Sequence, residues 1–300
     1  MAFIRTRVTR MFQNDRKWMV RLVIGGFLLH FTIFMLFPIV YSLFGSFYDW
    51  KPLNGTFRFI GFENFRNILK EQLFWDTLLN TFYLTVGIVV IRTVLALFIA
   101  LGIHSVTKWK TLFRTTYFFP VVTSVIAVSI VWKSLYDPTY GFINGLLSLF
   151  GFEGFAWLLD EHVVIPSIII MTVWKELGYA IILFIAGLQT IPRLFYEAAK
   201  VDGASKFQIF RSITLPMLQP TLLFVVVTSF IGFMQIFGQI FILTDGGPGT
   251  SSTTTVYLVY QEAFQKYNFG VASALSFLLF AIVMIFTYIQ LKVSKKDWSY

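Results

Sequence analysis

Three ionisable side chains, Arg92, Lys175 and Glu176, stand inside long apolar stretches of the sequence. Charge at such a position is costly, so it pairs, faces a cavity or contacts a polar solute. Arg92 falls about 11 residues into its apolar run, roughly 16 Å at about 1.5 Å per residue of helix. Glu176 is similarly deep in a run entering from the same side, so the two are candidates to pair across helices. Lys175 adjoins Glu176, points about 100° away from it on a helix and is expected to face water. Polar residues gather nearby in the pattern. Thr221, Thr228, Gly232, Gln235 and Gln239 recur at spacings of about three, four and seven, which puts them on one helix face. Ser229 lies beside that stripe, and Phe233 and Phe237 flank it. Thr172, Glu176 and Tyr179 share a face of another helix, with Trp174 on a different one. Two readings stay open here: a passage for a polar solute, or helices held in register by buried hydrogen bonds and an ion pair.

A second constellation occupies 190–217, TIPRLFYEAAKVDGASKFQIFRSITLPM. Pro192 suits the first turn of a helix. Leu194 to Val201 favours helix, Gly203 supplies a left-handed stop, and Ser205 can cap a second helix that Pro216 closes or kinks. The pattern predicts a helix-turn-helix knob. Connections between helices commonly run about 2–8 residues, so a longer structured one points to function.

Other chemistries are missing from the chain. No G-x-x-x-x-G-K-[ST] phosphate loop and no H-E-x-x-H occur. The three histidines, His30, His104 and His162, fall in separate segments. The absence of cysteine excludes disulfides, thiolate metal sites and cysteine nucleophiles.

The elements that must carry these residues follow from composition. Hydrophobic residues make up 57% of the 300 and charged residues 13%, with 36 Phe. Such a chain lacks the polar surface that a water-soluble fold needs, which argues for the bilayer as solvent and against a soluble enzyme or nucleic-acid binder. Six stretches reach the roughly 20 apolar residues that a span requires: Val20–Phe47, Thr81–Ile103, Leu112–Val131, Val163–Gln189, Pro220–Leu243 and Phe269–Leu291. The first is too long, and lacks a small-residue cleavage site, to read as a signal peptide. Of the 24 Lys and Arg, sixteen fall in the amino-terminal segment, the 104–114 turn, the 190–217 loop and the carboxyl tail, and six in the alternate loops. The basic side is cytoplasmic, so both termini are expected inside. The net charge of +9 then reads as a topology signal with contact to anionic lipid headgroups.

Glu197-Ala198-Ala199, Asp202-Gly203-Ala204 and Ile213-Thr214-Leu215-Pro216 resemble the EAA loop of binding-protein-dependent ABC importer permeases. The resemblance extends over roughly residues 60–290. Gly61-Phe62-Glu63-Asn64-Phe65, the 141–147 run GFINGLL, the 186–192 run AGLQTIP and the 244–248 run TDGGP are similar to the carbohydrate branch. The last run leans towards the larger, maltose-type subunit. The chain lacks that subunit's large external domain and extra amino-terminal helices.

The resemblance implies an all-α polytopic membrane protein of type I ABC importer permease (MetI-like) fold, with six transmembrane helices in a bacterial-type plasma membrane. It implies a layout of a basic cytoplasmic segment at 1–19, a first helix and external loop at 20–75, a permease core at 76–291 containing the coupling loop 190–217, and a tail at 292–300. Glu197, Ala198, Ala199, Asp202, Gly203 and Ala204 would engage a cytoplasmic ATPase dimer. That dimer, rather than this chain, would bind ATP and Mg. A second homologous permease, an extracytoplasmic solute-binding protein and a sugar or oligosaccharide are the other implied partners. The polar stripe then becomes a sugar path formed by Trp174, Glu176, Tyr179, Ser229, Gly232, Phe233, Gln235 and Gln239. The competing reading is a self-contained ion-coupled carrier acting as a homodimer.

Overall fold

The computed structural model describes residues 18–105 and 110–293, with side chains from 18–103 and 116–293. The expected basic segment at 1–19 and the tail at 292–300 lie largely outside them. The chain is a mostly helical membrane protein with four to six candidate spans.

Helix α1 (Trp18–Gly45) is mostly apolar, with Arg21 near its start, and almost none of it is buried within the chain. A hairpin of β1 (Tyr48–Lys51) and β2 (Thr56–Phe59) follows, paired Tyr48 to Phe59. This corrects the all-α expectation: four-residue strands leave too little alternation to read. Helix α2 (Glu63–Lys70) leads into α3 (Gln72–Ser105), which begins nine residues before the expected span. Next come α4 (Lys110–Val122), α5 (Val125–Leu135) and the short α6 (Phe142–Leu149). Helix α7 (Val164–Thr190) is long and central. Helices α8 (Arg193–Val201) and α9 (Lys206–Met217) form the knob. Beyond them lie α10 (Gln219–Phe233), α11 (Gly238–Leu243), α12 (Thr255–Tyr260) and α13 (Phe269–Val293).

Two of the six expected spans are not straight helices. The third, Leu112–Val131, bends by 109° between Thr116–Val122 and Val125–Leu135. Pro120 sits in the last turn of α4, and the Thr123 hydroxyl donates to the Pro120 carbonyl at 2.6 Å. That bond gives the chain a local alternative to continuing the helix. The fifth, Pro220–Leu243, stops at Phe233 and restarts at Gly238. Its amino-terminal end bends by 62° against α9, beside Pro216 and Pro220.

The core lies where α3 and α7 cross. Towards one end Leu84, Ile88, Ile168, Met171 and Ile240 are buried together. Towards the other, Ala96, Ala100, Ala180, Phe184, Leu188 and Val225 are. Small residues set the spacing, because in lipid helices associate by close packing rather than by hydrophobic exclusion. At Gly178 a Cβ would stand 1.9 Å from the Tyr117 carbonyl oxygen. The backbones of α7 and α4 therefore touch, and only glycine fits. The small residues Ala272, Ser273 and Ala274 of α13 are buried in the same manner, and Ser42 of α1 donates to the Ser273 hydroxyl at 3.1 Å.

Candidate functional site

A cavity of about 660 Å3 opens between α3, α5, α7 and α10. It falls within the ~300–1,000 Å3 typical of small-ligand sites. Arg92, Lys175, Glu176, Tyr179, Ser229, Gly232, Phe233, Gln235 and Gln239 all line it. The structure thus brings together every member of the expected path except Trp174, which packs its ring 5.5 Å from that of Trp132. Thr228 of the stripe also lines the cavity, whereas Thr221 packs beside Gly187 and Thr172 is fully buried. The break after Phe233 corrects the expected single helix face: Gln235 reaches the cavity from the turn between α10 and α11, and Gln239 from the first turn of α11. Gln235 Nε2 donates back to the Ile231 carbonyl at 3.3 Å.

Arg92 joins three helices. Its Nε donates to the backbone carbonyl of Glu176 at 2.9 Å, and its Nη1 donates to the Ser229 hydroxyl at 2.6 Å. The Ser229 hydroxyl in turn donates to the Val225 carbonyl, a return bond within its own helix turn. The guanidinium carbon lies 5.8 Å from the Tyr179 ring centre and 5.5 Å from that of Phe233, in cation–π range. Arg92 and Glu176 therefore meet across helices, but through the backbone oxygen rather than the carboxylate. That carboxylate is taken by Lys175, whose Nζ sits 2.8 Å from Glu176 Oε1. The expectation that Lys175 faces water is corrected: its side chain is only 7% exposed, against 26% for Glu176. The long methylene stem lets the ammonium fold back towards its neighbour, which a helical wheel of Cβ directions does not register.

Val125, Ile236 and Gly238 complete the lining and were missed. Val125 gets there because α5 starts at the 109° bend. No local signal in the apolar run announced it.

Most of the knob follows its local chemistry, with one correction: Pro192 stands in extended conformation just before α8, which starts at Arg193, rather than in the helix's first turn. Gly203 has φ +74°, and its N–H donates to the Lys200 carbonyl at 3.1 Å. Ala204 N–H returns to the Ala199 carbonyl at 2.9 Å, closing the end of α8. Ser205 and Gln208 then make a reciprocal capping box: the Ser205 N–H donates to Gln208 Oε1 at 2.7 Å, and the Gln208 N–H to Ser205 Oγ at 3.3 Å. Ala199 is buried against the root of the knob, where the Tyr196 and Thr214 hydroxyls lie 3.2 Å apart. Glu197, Ala198, Asp202 and Gly203 are exposed. The sequence reading passed over the apolar side chains beside them. Leu194, Phe195, Val201 and Phe207 are all exposed on this knob. Leu194 and Val201 stand seven residues apart, a spacing that puts them on one face and could have been read.

On the far side of the bundle, the segment after α11 folds into a tight strap. Asp245 accepts from the buried Tyr257 hydroxyl at 2.5 Å, and Thr253 and Ser252 donate to the carbonyls of Gly246 and Gly247. Burial, with Asp245 next, pushes the Tyr257 hydroxyl up to about 12, so it stays protonated and donates.

Comparison with known proteins agrees across most of the chain. The family described as binding-protein-dependent transport system inner membrane component matches residues 92–296. The multiple sugar-binding transport system permease protein MsmF of Streptococcus mutans is 35% identical over 265 residues, covering 88% of this chain and 91% of that one. The trehalose/maltose transport system permease protein MalF of Thermococcus litoralis is 34% identical over 271 residues, covering 88% and 90%. Among solved structures, a chain of a bacterial ABC transporter involved in the import of the acidic polysaccharide alginate superposes with a TM-score of 0.84 at 22% identity, covering 97% of this chain and all of that one. That likeness is one of fold.

Proposed function

Because this chain belongs to the binding-protein-dependent transport system inner membrane components, we propose that it is the permease subunit of an ATP-driven importer for sugars or oligosaccharides. The observation that carries the reading is the pairing of a polar, aromatic-walled cavity within the span region with a rigid, exposed helical knob at 190–217. Aromatic faces beside Gln, Ser and carboxylate groups suit the alternating CH faces and hydroxyls of a sugar. Similarity to sugar-transport permeases over about nine-tenths of the chain supports the same substrate class.

The knob is the coupling element. A short capped helix transmits displacement where a floppy loop would absorb it. Its exposed Leu194, Phe195 and Val201 offer an apolar contact to a cleft in a cytoplasmic ATPase, and Glu197 offers a charge-assisted hydrogen bond at its edge. Closure of an ATPase pair on ATP would push this knob towards that of a second, similar permease and switch the cavity from inward- to outward-facing. A solute-binding protein outside delivers the sugar. This arrangement requires the basic loops, and hence both termini, on the cytoplasmic side. It also requires six spans, with each bent pair counted as one.

The test is purification. Tagged chain from membranes should carry an ATPase subunit with it, and a Glu197→Ala/Leu194→Ala double change should release that subunit while the permease stays in the membrane. Retention of the ATPase by the double variant would overturn the assigned coupling surface.

A further inference from the structure

The charges around the cavity do not balance. Among the described residues its ionised lining is two cations, Arg92 and Lys175, and one carboxylate, Glu176. Lys175 already holds that carboxylate at 2.8 Å. Arg92 is 3% exposed as a residue, and no carboxylate lies within 4 Å of it among the described residues. Its two acceptors, the Glu176 carbonyl and the Ser229 hydroxyl, are neutral. A guanidinium carries five N–H donors. The remaining ones meet no acceptor among the described residues, on a side chain that lines the cavity and is steered by the Tyr179 and Phe233 rings.

A buried cation whose direct acceptors are neutral, and whose nearby counter-charge, Glu176, is already held by Lys175, is an incomplete arrangement. Hydrogen bonds and aromatic faces offset part of its desolvation in a low-dielectric span, and an unshared counter-charge would offset more. Its planar fork also matches oxyanions such as carboxylate, sulfonate and phosphate, which accept two parallel hydrogen bonds. The other walls, Gln235, Gln239, Thr228 and two aromatic rings, recognise a neutral sugar body.

We infer that the cavity takes an anionic sugar: an oligosaccharide bearing a carboxylate, sulfonate or phosphate group, which Arg92 receives while Lys175 and Glu176 neutralise each other. This rests on the sugar-import reading and narrows it. A neutral sugar would leave Arg92 as it stands. An acidic one completes its hydrogen bonds, and a single carboxylate or sulfonate brings the cavity to zero net charge.

The experiment uses the complete importer, with its ATPase and solute-binding protein, in proteoliposomes. These are offered an equimolar mixture of neutral oligosaccharides of two to five units and their uronic-acid, sulfonated and phosphorylated counterparts. The contents after ATP addition are read by mass spectrometry. Acidic species should dominate the imported pool, and their class identifies the oxyanion. Arg92→Gln should cut the acidic-to-neutral import ratio by about tenfold or more, the loss of one charge-assisted hydrogen bond. Arg92→Lys should restore part of the ratio. A purely structural Arg92 predicts a different pattern: Arg92→Gln lowers all sugars alike, in step with less assembled complex on a gel. That result, or a neutral imported pool in the wild type, overturns the inference. Import of no sugar at all by an assembled, ATP-hydrolysing complex would overturn the sugar reading itself, and this proposal with it.

Discussion

Lys175 and Glu176 are consecutive residues that form an ion pair in the interior of α7. Adjacent helix positions do not face each other, so the pair exists only because lysine is long. It has a stability consequence separate from any role in binding. Glu176→Gln alone leaves a nine-tenths buried ammonium without its partner. Because Glu176 is about a quarter exposed, the cost is discounted to about 1–3 kcal/mol from the larger values seen for fully buried pairs. Lys175→Met/Glu176→Gln should recover most of that loss. Melting curves of the purified complex for both variants check the order, and a double variant no more stable than the single would refute it. At Gly203 the logic is conformational. Its φ is +74°, yet a Cβ would meet nothing within 4 Å, so the barrier to substitution is backbone strain alone. Gly203→Val should cost about 1–2 kcal/mol locally, leave membrane insertion unchanged and disconnect ATP hydrolysis from uptake. Normal uptake by that variant would show that the turn between α8 and α9 is not part of the coupling path.

The knob helices were legible because their signals are local. Glycine and Ser205 with Gln208 each act within four residues, and the structure uses both as their chemistry dictates, while Pro192 acts one residue ahead of the helix it was expected to open. Removing the Ser205 side chain should therefore loosen α9 by about 1 kcal/mol, visible as faster amide exchange at 206–209 with the rest of the bundle unchanged. The long helices were legible for the same reason, since twenty apolar residues need no partner to announce a span. The bends were not. Hydropathy runs unbroken through Thr123-Ser124 and through 234–237, and what interrupts the helices there is a side-chain hydrogen bond and packing against distant segments. The cavity lining shows the same division. Residues regularly spaced on α7 and α10 were legible, and Gln235 and Gln239 joined them although the break takes both off α10, whereas Val125 and Gly238, brought in by the breaks, were not. Close helix approach is equally non-local. Gly178 looks ordinary in sequence, yet Gly178→Ala puts a methyl into the Tyr117 carbonyl. It should force α4 and α7 apart at a cost of about 1–3 kcal/mol, measured as a lower melting temperature of the complex.

At the scale of the whole molecule, the division of labour makes a direct forecast. Liposomes holding this chain alone, with an imposed proton or sodium gradient, should accumulate no sugar. Accumulation would favour the self-contained carrier over the importer subunit. The placement of α1 carries a different consequence. Its ties to the remainder sit at its carboxyl-terminal end: the Ser42 hydroxyl reaches Ser273, and Asn64 ties down the carbonyls of Ser46 and Tyr48 just beyond. Along the rest of its length no side chain is buried within the chain. The sequence is therefore under two unlike rules of substitution. Between Trp18 and Tyr41, one apolar residue can replace another without disturbing the packing of the remaining bundle of this chain. At Gly45 and at the buried positions beyond it, single atoms matter. Divergence between relatives should follow that border, drifting freely in the identity of apolar residues before it and slowly after it.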